Sequence, residues 1–181
     1  AARQVIEQDF QALPLAATAQ AAIDAARGLG AEHVDVRISR QRTRSATARD
    51  ARPLGASSDS TTGVGVRVLV DGVWGFAAGG LVTPESAARV AASAVGMASV
   101  AAPVARERVE LAGEPVHAGQ AWANPVDIDP FEVPDAEVLE LLESRSAGLL
   151  SSAEVQRVDA RFLASRDLTY YADSTGTDTL Q

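Results

Sequence analysis

Thr62-Gly-Val-Gly-Val-Arg-Val-Leu-Val-Asp-Gly-Val-Trp-Gly-Phe76 reads as a β-hairpin. Asp71-Gly72 supplies the positive φ angles of a two-residue turn, and apolar runs flank it on both sides. Val64, Val66, Val68 and Val70 alternate with Gly65, Arg67 and Leu69, so one face of the incoming strand is wholly β-branched. The return strand, Val73 to Phe76, carries one of the two tryptophans. Glycines within the hairpin let backbones bend or approach closely, as a curved sheet requires.

Working outward, Leu15 to Arg27 has helical spacing at Ala16, Ala19, Ile23 and Ala26, and Gly28-Leu-Gly30 offers a stop. Val34, Val36 and Ile38 alternate with Asp35, Arg37 and Ser39 as a half-buried strand. Ser45 to Arg49 extends it, Asp50 to Pro53 turns it back, and Gly55 to Asp59 predicts a weaker strand leading into the hairpin. The expectation is one helix followed by a meander of about five short strands. Downstream, Thr83-Pro84-Glu85 combines an N-cap, a proline at the first helical position and an acid in the first turn. That helix should run to about Val100 and lie close on the sheet, being nearly all Ala, Val, Ser and Gly. Residues 105–134 show no clear period and several prolines, which predicts an irregular connection. Asp135 to Leu150 is a helix with Val138, Leu139, Leu142 and Leu149 as its apolar stripe. Val155 to Leu163 and Leu168 to Ala172 read as two strands around a turn near Ser165 to Asp167.

The fold class is α+β: a curved, mostly antiparallel sheet with two or three helices packed on it. Three segments follow: a lobe at 1–104 containing the hairpin 62–76, a connection at 105–134, and a helix with the start of a next sheet at 135–181. A chain of 181 residues with 46% hydrophobic content can bury a real core, although only 4% is aromatic. No apolar run approaches the roughly 20 residues of a membrane span, and the start lacks a signal-peptide pattern. With no cysteine, a disulfide framework is excluded, so the default localisation is cytoplasmic. All sixteen basic residues are arginine. Residues 1–109 hold twelve of them against ten acids, and residues 110–181 hold four against fourteen, within a net charge of −8. That balance disfavours uniform nucleic-acid binding, which needs a basic surface.

Four stretches, in order, resemble one family. GVGVRVLVDGVWGFA resembles the signature hairpin in the amino-terminal half of the TldD/PmbA family, known as modulators of DNA gyrase and as metallopeptidases. Gly30-Ala-Glu-His-Val-Asp-Val-Arg37 resembles that family's opening strand, Ile128-Asp-Pro-Phe-Glu-Val-Pro134 its central loop, and Tyr171-Ala-Asp-Ser-Thr-Gly176 the turn that follows. The central loop leans toward TldD rather than its PmbA (TldE) partner. The resemblance covers roughly residues 20 to 181. It implies a zinc-dependent parent peptidase acting on unfolded peptides in a closed cavity, assembled with a homologous subunit as a hetero- or homodimer. The family's metal site, a His-Glu-x-x-x-His helix with a distant third ligand, lies in the carboxy-terminal half.

The chain's histidines, His33 and His117, stand 84 positions apart, and neither belongs to a zinc motif of the usual spacing. We therefore read the chain as the non-catalytic amino-terminal domain of a TldD-like protein, ending before the catalytic half, with no catalytic, cofactor-binding or metal residue assigned. Its expected role is to wall the substrate cavity and contact the partner subunit. The alternative is a stand-alone peptide- or protein-binding module.

Arg37, Arg40, Arg42, Arg44, Arg49 and Arg52 form a stripe that reads as solvated strand edges rather than a nucleic-acid groove. Asp127, Asp129, Glu132 and Asp135 lie among prolines, without calcium-loop spacing, and read as a rigid docking loop. Ser57, Ser58, Ser60 and Ser174 have no histidine near in sequence to activate them. Trp74 and Trp122 read as packing anchors, and the two histidines as ordinary, partly exposed residues.

Overall fold

A computed structural model describes Arg3, Gln4 and residues 6–181, with side chains from residue 6 onward. The elements are β1 (Arg3–Gln4), α1 (Gln8–Gln11), α2 (Leu15–Gly28), β2 (His33–Arg49), β3 (Arg52–Val70), β4 (Val73–Gly79), α3 (Pro84–Ala101), β5 (Gln120–Ala121), β6 (Pro125–Val126), α4 (Asp135–Leu150), β7 (Asp159–Asp173) and β8 (Asp178–Leu180). Six strands make one open mixed sheet in the order β4-β3-β2-β7-β8-β5, and β1 pairs separately with β6. The β3–β4 and β7–β8 pairs are antiparallel, and β5 joins β8 in parallel. The fold is α+β, as the sequence predicts.

The chain divides into two compact units, interleaved in sequence because β2, β3 and β7 each contribute to both. In the larger, Ile6–Arg40, Thr62–Ala123 and Leu168–Gln181, the core is built from alternation. Val34, Val36 and Ile38 of β2 and Val64, Val66 and Val68 of β3 are buried against Ala19, Ala22 and Ala26 of α2 and Ala87, Ala91, Ala94 and Ala98 of α3. Small helical side chains permit close approach, and Gly75 marks its limit: a Cβ there would lie 2.1 Å from the Ala94 carbonyl oxygen of α3. The N-cap of α3 forms as read, with Thr83 Oγ1 accepting from Ser86 N at 3.2 Å. Pro84–Val104 is long and apolar enough by length and composition to cross a membrane, which the linear reading missed. One face of this helix, however, belongs to the alanine core just described.

The Asp71-Gly72 turn is present, with φ of 47° and 68° and Val70 paired with Val73. A Cβ on Gly72 would meet Arg108 Cβ at 2.7 Å in addition to the backbone strain. Gly72→Val is therefore expected to destabilise the protein by about 2 kcal/mol, read as a fall in the urea midpoint.

The smaller unit comprises Gln41–Thr61 and Asn124–Asp167, joined by β1. Its core is Ala46 and Ala48 of β2 with Val138 and Leu142 of α4, and Leu139, Ala160 and Phe162 pack against them. Leu149, assigned to the same stripe, is instead 56% exposed.

Two expectations about strands are corrected. The short-strand meander is in fact two long strands of 17 and 19 residues, because Asp50-Ala51 is itself a two-residue turn with φ of 48° and 58°. Asp50 holds it by accepting from Val158 N at 2.8 Å through Oδ1. The turn predicted near Ser165 to Asp167 is absent and β7 runs straight through. Side-chain anchors keep it extended: Arg166 donates to Asp129 at 2.5 Å and Gln41 to Asp167 at 2.8 Å.

Candidate functional site

Alternation that sends valines to the helices sends their neighbours to the opposite face of the sheet. In the larger unit this face carries Asp35 and Arg37 of β2, Gly65 and Arg67 of β3, Trp74 and Phe76 of β4, and Thr169, Tyr171 and Asp173 of β7. Hollows of about 460 Å³, about 160 Å³ and about 500 Å³ open along it. The first and second share Arg67, the second and third share Arg37, so the three adjoin as one furrow. The irregular segment after α3 forms part of its wall through Leu111, Glu114 and His117. It is strapped down where Val109 N donates to Gly72 O at 2.8 Å and where Asp178 N donates to His117 O at 2.9 Å.

Asp35 is the buried charge of this face, its side chain 5% exposed. Arg67 Nε donates to Asp35 Oδ2 at 2.7 Å, and the His33 ring nitrogen Nε2 lies 3.8 Å from the same oxygen. The Arg67 guanidinium also stacks over Trp74, 4.4 Å from the ring centroid, and His33 meets Trp74 edge-on at 6.1 Å. Ion pair and stacking together fix the guanidinium. Beside it, Arg37 lies over the Tyr171 ring at 5.8 Å. Burial, reinforced by the negative charges of Asp35 and Asp173, pushes the Tyr171 hydroxyl up to about 12, so it remains a protonated donor at neutral pH. Burial alone would raise Asp173. Hydrogen bonds from the Thr175 side chain and from the backbone of Thr175 and Thr177 outweigh it and hold the carboxyl below its ordinary value.

The readings made from sequence meet this geometry unevenly. The arginine stripe does not consist of solvated edges: β2 is an interior strand between β3 and β7. Arg40 pairs with Asp9 at 2.7 Å and Arg49 with Asp159 at 2.7 Å, and Arg44 is buried against Asp135 at 2.5 Å. Arg42 and Arg166 stack over Phe131 at 4.9 and 4.7 Å. Most of the stripe is thus consumed by internal partners. The acidic loop is consumed likewise, with Asp129 Oδ1 accepting from Phe131 N at 2.9 Å and from Arg166, and Asp135 accepting from Arg44. Ser174 is structural, its Oγ accepting from Val34 N at 3.1 Å. Trp122 is 58% exposed and anchors no packing, which corrects that reading. His33 and His117, remote in sequence, line one hollow.

Among the described residues no group of three or more His, Asp or Glu side chains is placed to hold a metal ion. The described residues therefore offer no donor set that fits the zinc implied by the resemblance, and no chemical step is routed through it.

This sheet, with α2 and α3 packed on its valine face, defines an α+β domain. Residues 34–98, which hold β3, β4 and most of β2 and α3, match the family model "PmbA/TldA metallopeptidase domain 1". A search of the curated proteins finds no match. Among solved structures, a Bacteroides thetaiotaomicron protein named as a candidate modulator of DNA gyrase superposes with a TM-score of 0.69 at 15% identity, covering 98% of this chain and 39% of its own. TldE from Thermococcus kodakarensis gives a TM-score of 0.60 at 17% identity, with 88% and 35% covered. A Thermotoga maritima protein, also named as a candidate gyrase modulator, gives 0.57 at 16% identity, with 90% and 36% covered. These likenesses establish the shared fold. The chain spans less than two-fifths of the length of these relatives.

Proposed function

We propose that this chain is the non-catalytic amino-terminal domain of a TldD-like zinc metallopeptidase, cytoplasmic, that walls the cavity in which unfolded peptides are cleaved and contacts a homologous subunit. The match of residues 34–98 to the first domain of the PmbA/TldA metallopeptidases carries this reading. The furrow gives it a physical form: an aromatic and hydroxyl-lined face with a fixed arginine suits an extended peptide better than a compact metabolite. Nucleic acid is a poor partner, since most arginines of the stripe are paired or stacked internally and the net charge is −8.

The purified chain is expected to hydrolyse no unfolded peptide and to retain no zinc. Metal analysis after dialysis, together with a fluorogenic peptide assay, checks both. One tightly held zinc per chain with peptide cleavage would overturn the assignment.

A second reading, a stand-alone peptide-binding module, draws on one observation. β4 pairs with β3 from Val64 to Val70, and among the described residues no strand borders the earlier part of β3 on that side, an edge available for strand addition. Stoichiometric capture of a homologous TldD/PmbA subunit in a mixing experiment favours the first reading over this one.

A further inference from the structure

The middle hollow of the furrow, about 160 Å³, is lined by Asp35, Arg37, Gly65, Arg67 and Phe76. Its chemistry differs from that of its neighbours. Two guanidinium groups border it against one carboxylate, and that carboxylate is already bound to Arg67 Nε and 5% exposed. One positive charge is therefore unmatched within the lining. Arg67 is held by Asp35 on one side and by the Trp74 ring on the other, which leaves its two terminal nitrogens without a hydrogen-bond partner among the described residues. Arg37 is exposed and, among the described residues, has no carboxylate within ion-pair distance. Its guanidinium lies over the Tyr171 ring. Gly65 shapes the pit, since a Cβ there would crowd Phe76 Cε2 at 3.3 Å.

From these residues we infer a carboxylate-binding pit between Arg37 and Arg67, which takes the free α-carboxylate or an acidic side chain of a bound peptide. This deepens the proposed function and rests on its peptide reading. A fixed guanidinium offers paired N–H donors in the geometry of a carboxylate, and pre-organisation removes the cost of ordering that side chain on binding. The volume corresponds to roughly five water molecules, enough for a carboxylate and its attached carbons. Phe76, 58% exposed, supplies an apolar wall for the rest of the residue. The net charge of −8 opposes an anion only at long range, where physiological salt screens it beyond about 8 Å.

The test uses the purified chain and NMR titration of the arginine Nε–H signals. Three probes differ only in carboxylate: acetyl-Ala-Ala-Phe as the free acid, the same peptide as its amide, and acetyl-Ala-Glu-Phe amide. The free acid, the glutamate peptide or both should shift Arg37 and Arg67 saturably, and whichever binds identifies the source of the carboxylate. The carboxylate-free amide should not. Arg37→Gln keeps the Asp35–Arg67 pair and the fold, verified by its melting curve, and should weaken binding about tenfold. Equal binding by the amide, unchanged binding by Arg37→Gln, or no saturable shift with either acid overturns the pit. Inorganic phosphate binding in place of both acids overturns the peptide assignment. The readout is independent of zinc and hydrolysis, so failure of the pit and failure of the peptidase-domain reading are distinguishable.

Discussion

Replacing Gly75 by alanine is expected to destabilise the protein by about 3 kcal/mol, the cost of forcing volume into a packed contact. The added methyl would sit 2.1 Å from the Ala94 carbonyl oxygen and 2.9 Å from both Ala98 Cβ and Ala98 N. Those are backbone and Cβ atoms of α3, which cannot swing away as the end of a long side chain would, so the whole helix must lift from the sheet. Lifting it also loosens Ala87, Ala91 and Ala98, all fully buried. Gly80→Ala is the internal control, since nothing lies within 4 Å of a Cβ built there. Urea denaturation of both variants decides the matter: equal midpoints would show that α3 does not rest on Gly75.

A loss of comparable or greater size, about 4 kcal/mol, is expected for Phe10→Ala. Phe10 is fully buried, the bulkiest of the completely enclosed side chains, in a core otherwise made of alanine, valine and a few larger aliphatics. Short alanine side chains cannot reach across the space that its ring vacates. It is also the one buried residue of α1, a helix of four residues that has no side-chain N-cap and depends on tertiary contact to exist. The ring carries Arg40 above it at 5.5 Å, and Arg40 in turn pairs with Asp9 at the start of the same helix. Calorimetry should show the loss as a lower melting temperature, and Phe10→Leu, which refills most of the cavity, should recover much of it. A Phe10→Ala protein as stable as the unaltered one would contradict this packing.

The hairpin and the helices were legible because their signals are local. Asp71-Gly72 meets a requirement of backbone geometry at that turn, and Thr83-Pro84 meets one at the start of α3. The helix from Asp135 to Leu150 carried its period and acidic first turn in the sequence. Strand lengths were harder to read. Gly55, Pro53 and the serines of β3 look like breaks, yet the strand runs from Arg52 to Val70 because that part lies beyond the reach of β4, where weak strand formers are tolerated. Ser165 to Asp167 resembles a turn, but its side chains find Asp129 and Gln41, partners 37 and 126 residues away in the chain, and the strand continues.

The sequence by itself determined the α+β class, the hairpin, the three long helices and the absence of a zinc motif, all of which follow from residue identity at short spacing. It also showed, through alternation, that Asp35 and Arg37 share a face and that Arg67 faces away from its valines. Only the tertiary structure decided that β3 and β7 flank β2, that Trp74 stacks on Arg67, and that His33 and His117 line one hollow. Strand order and the path of an irregular segment depend on contacts between distant residues, and no local preference encodes them. The furrow therefore emerges from several strands and a connecting segment whose side chains have no short-range reason to meet.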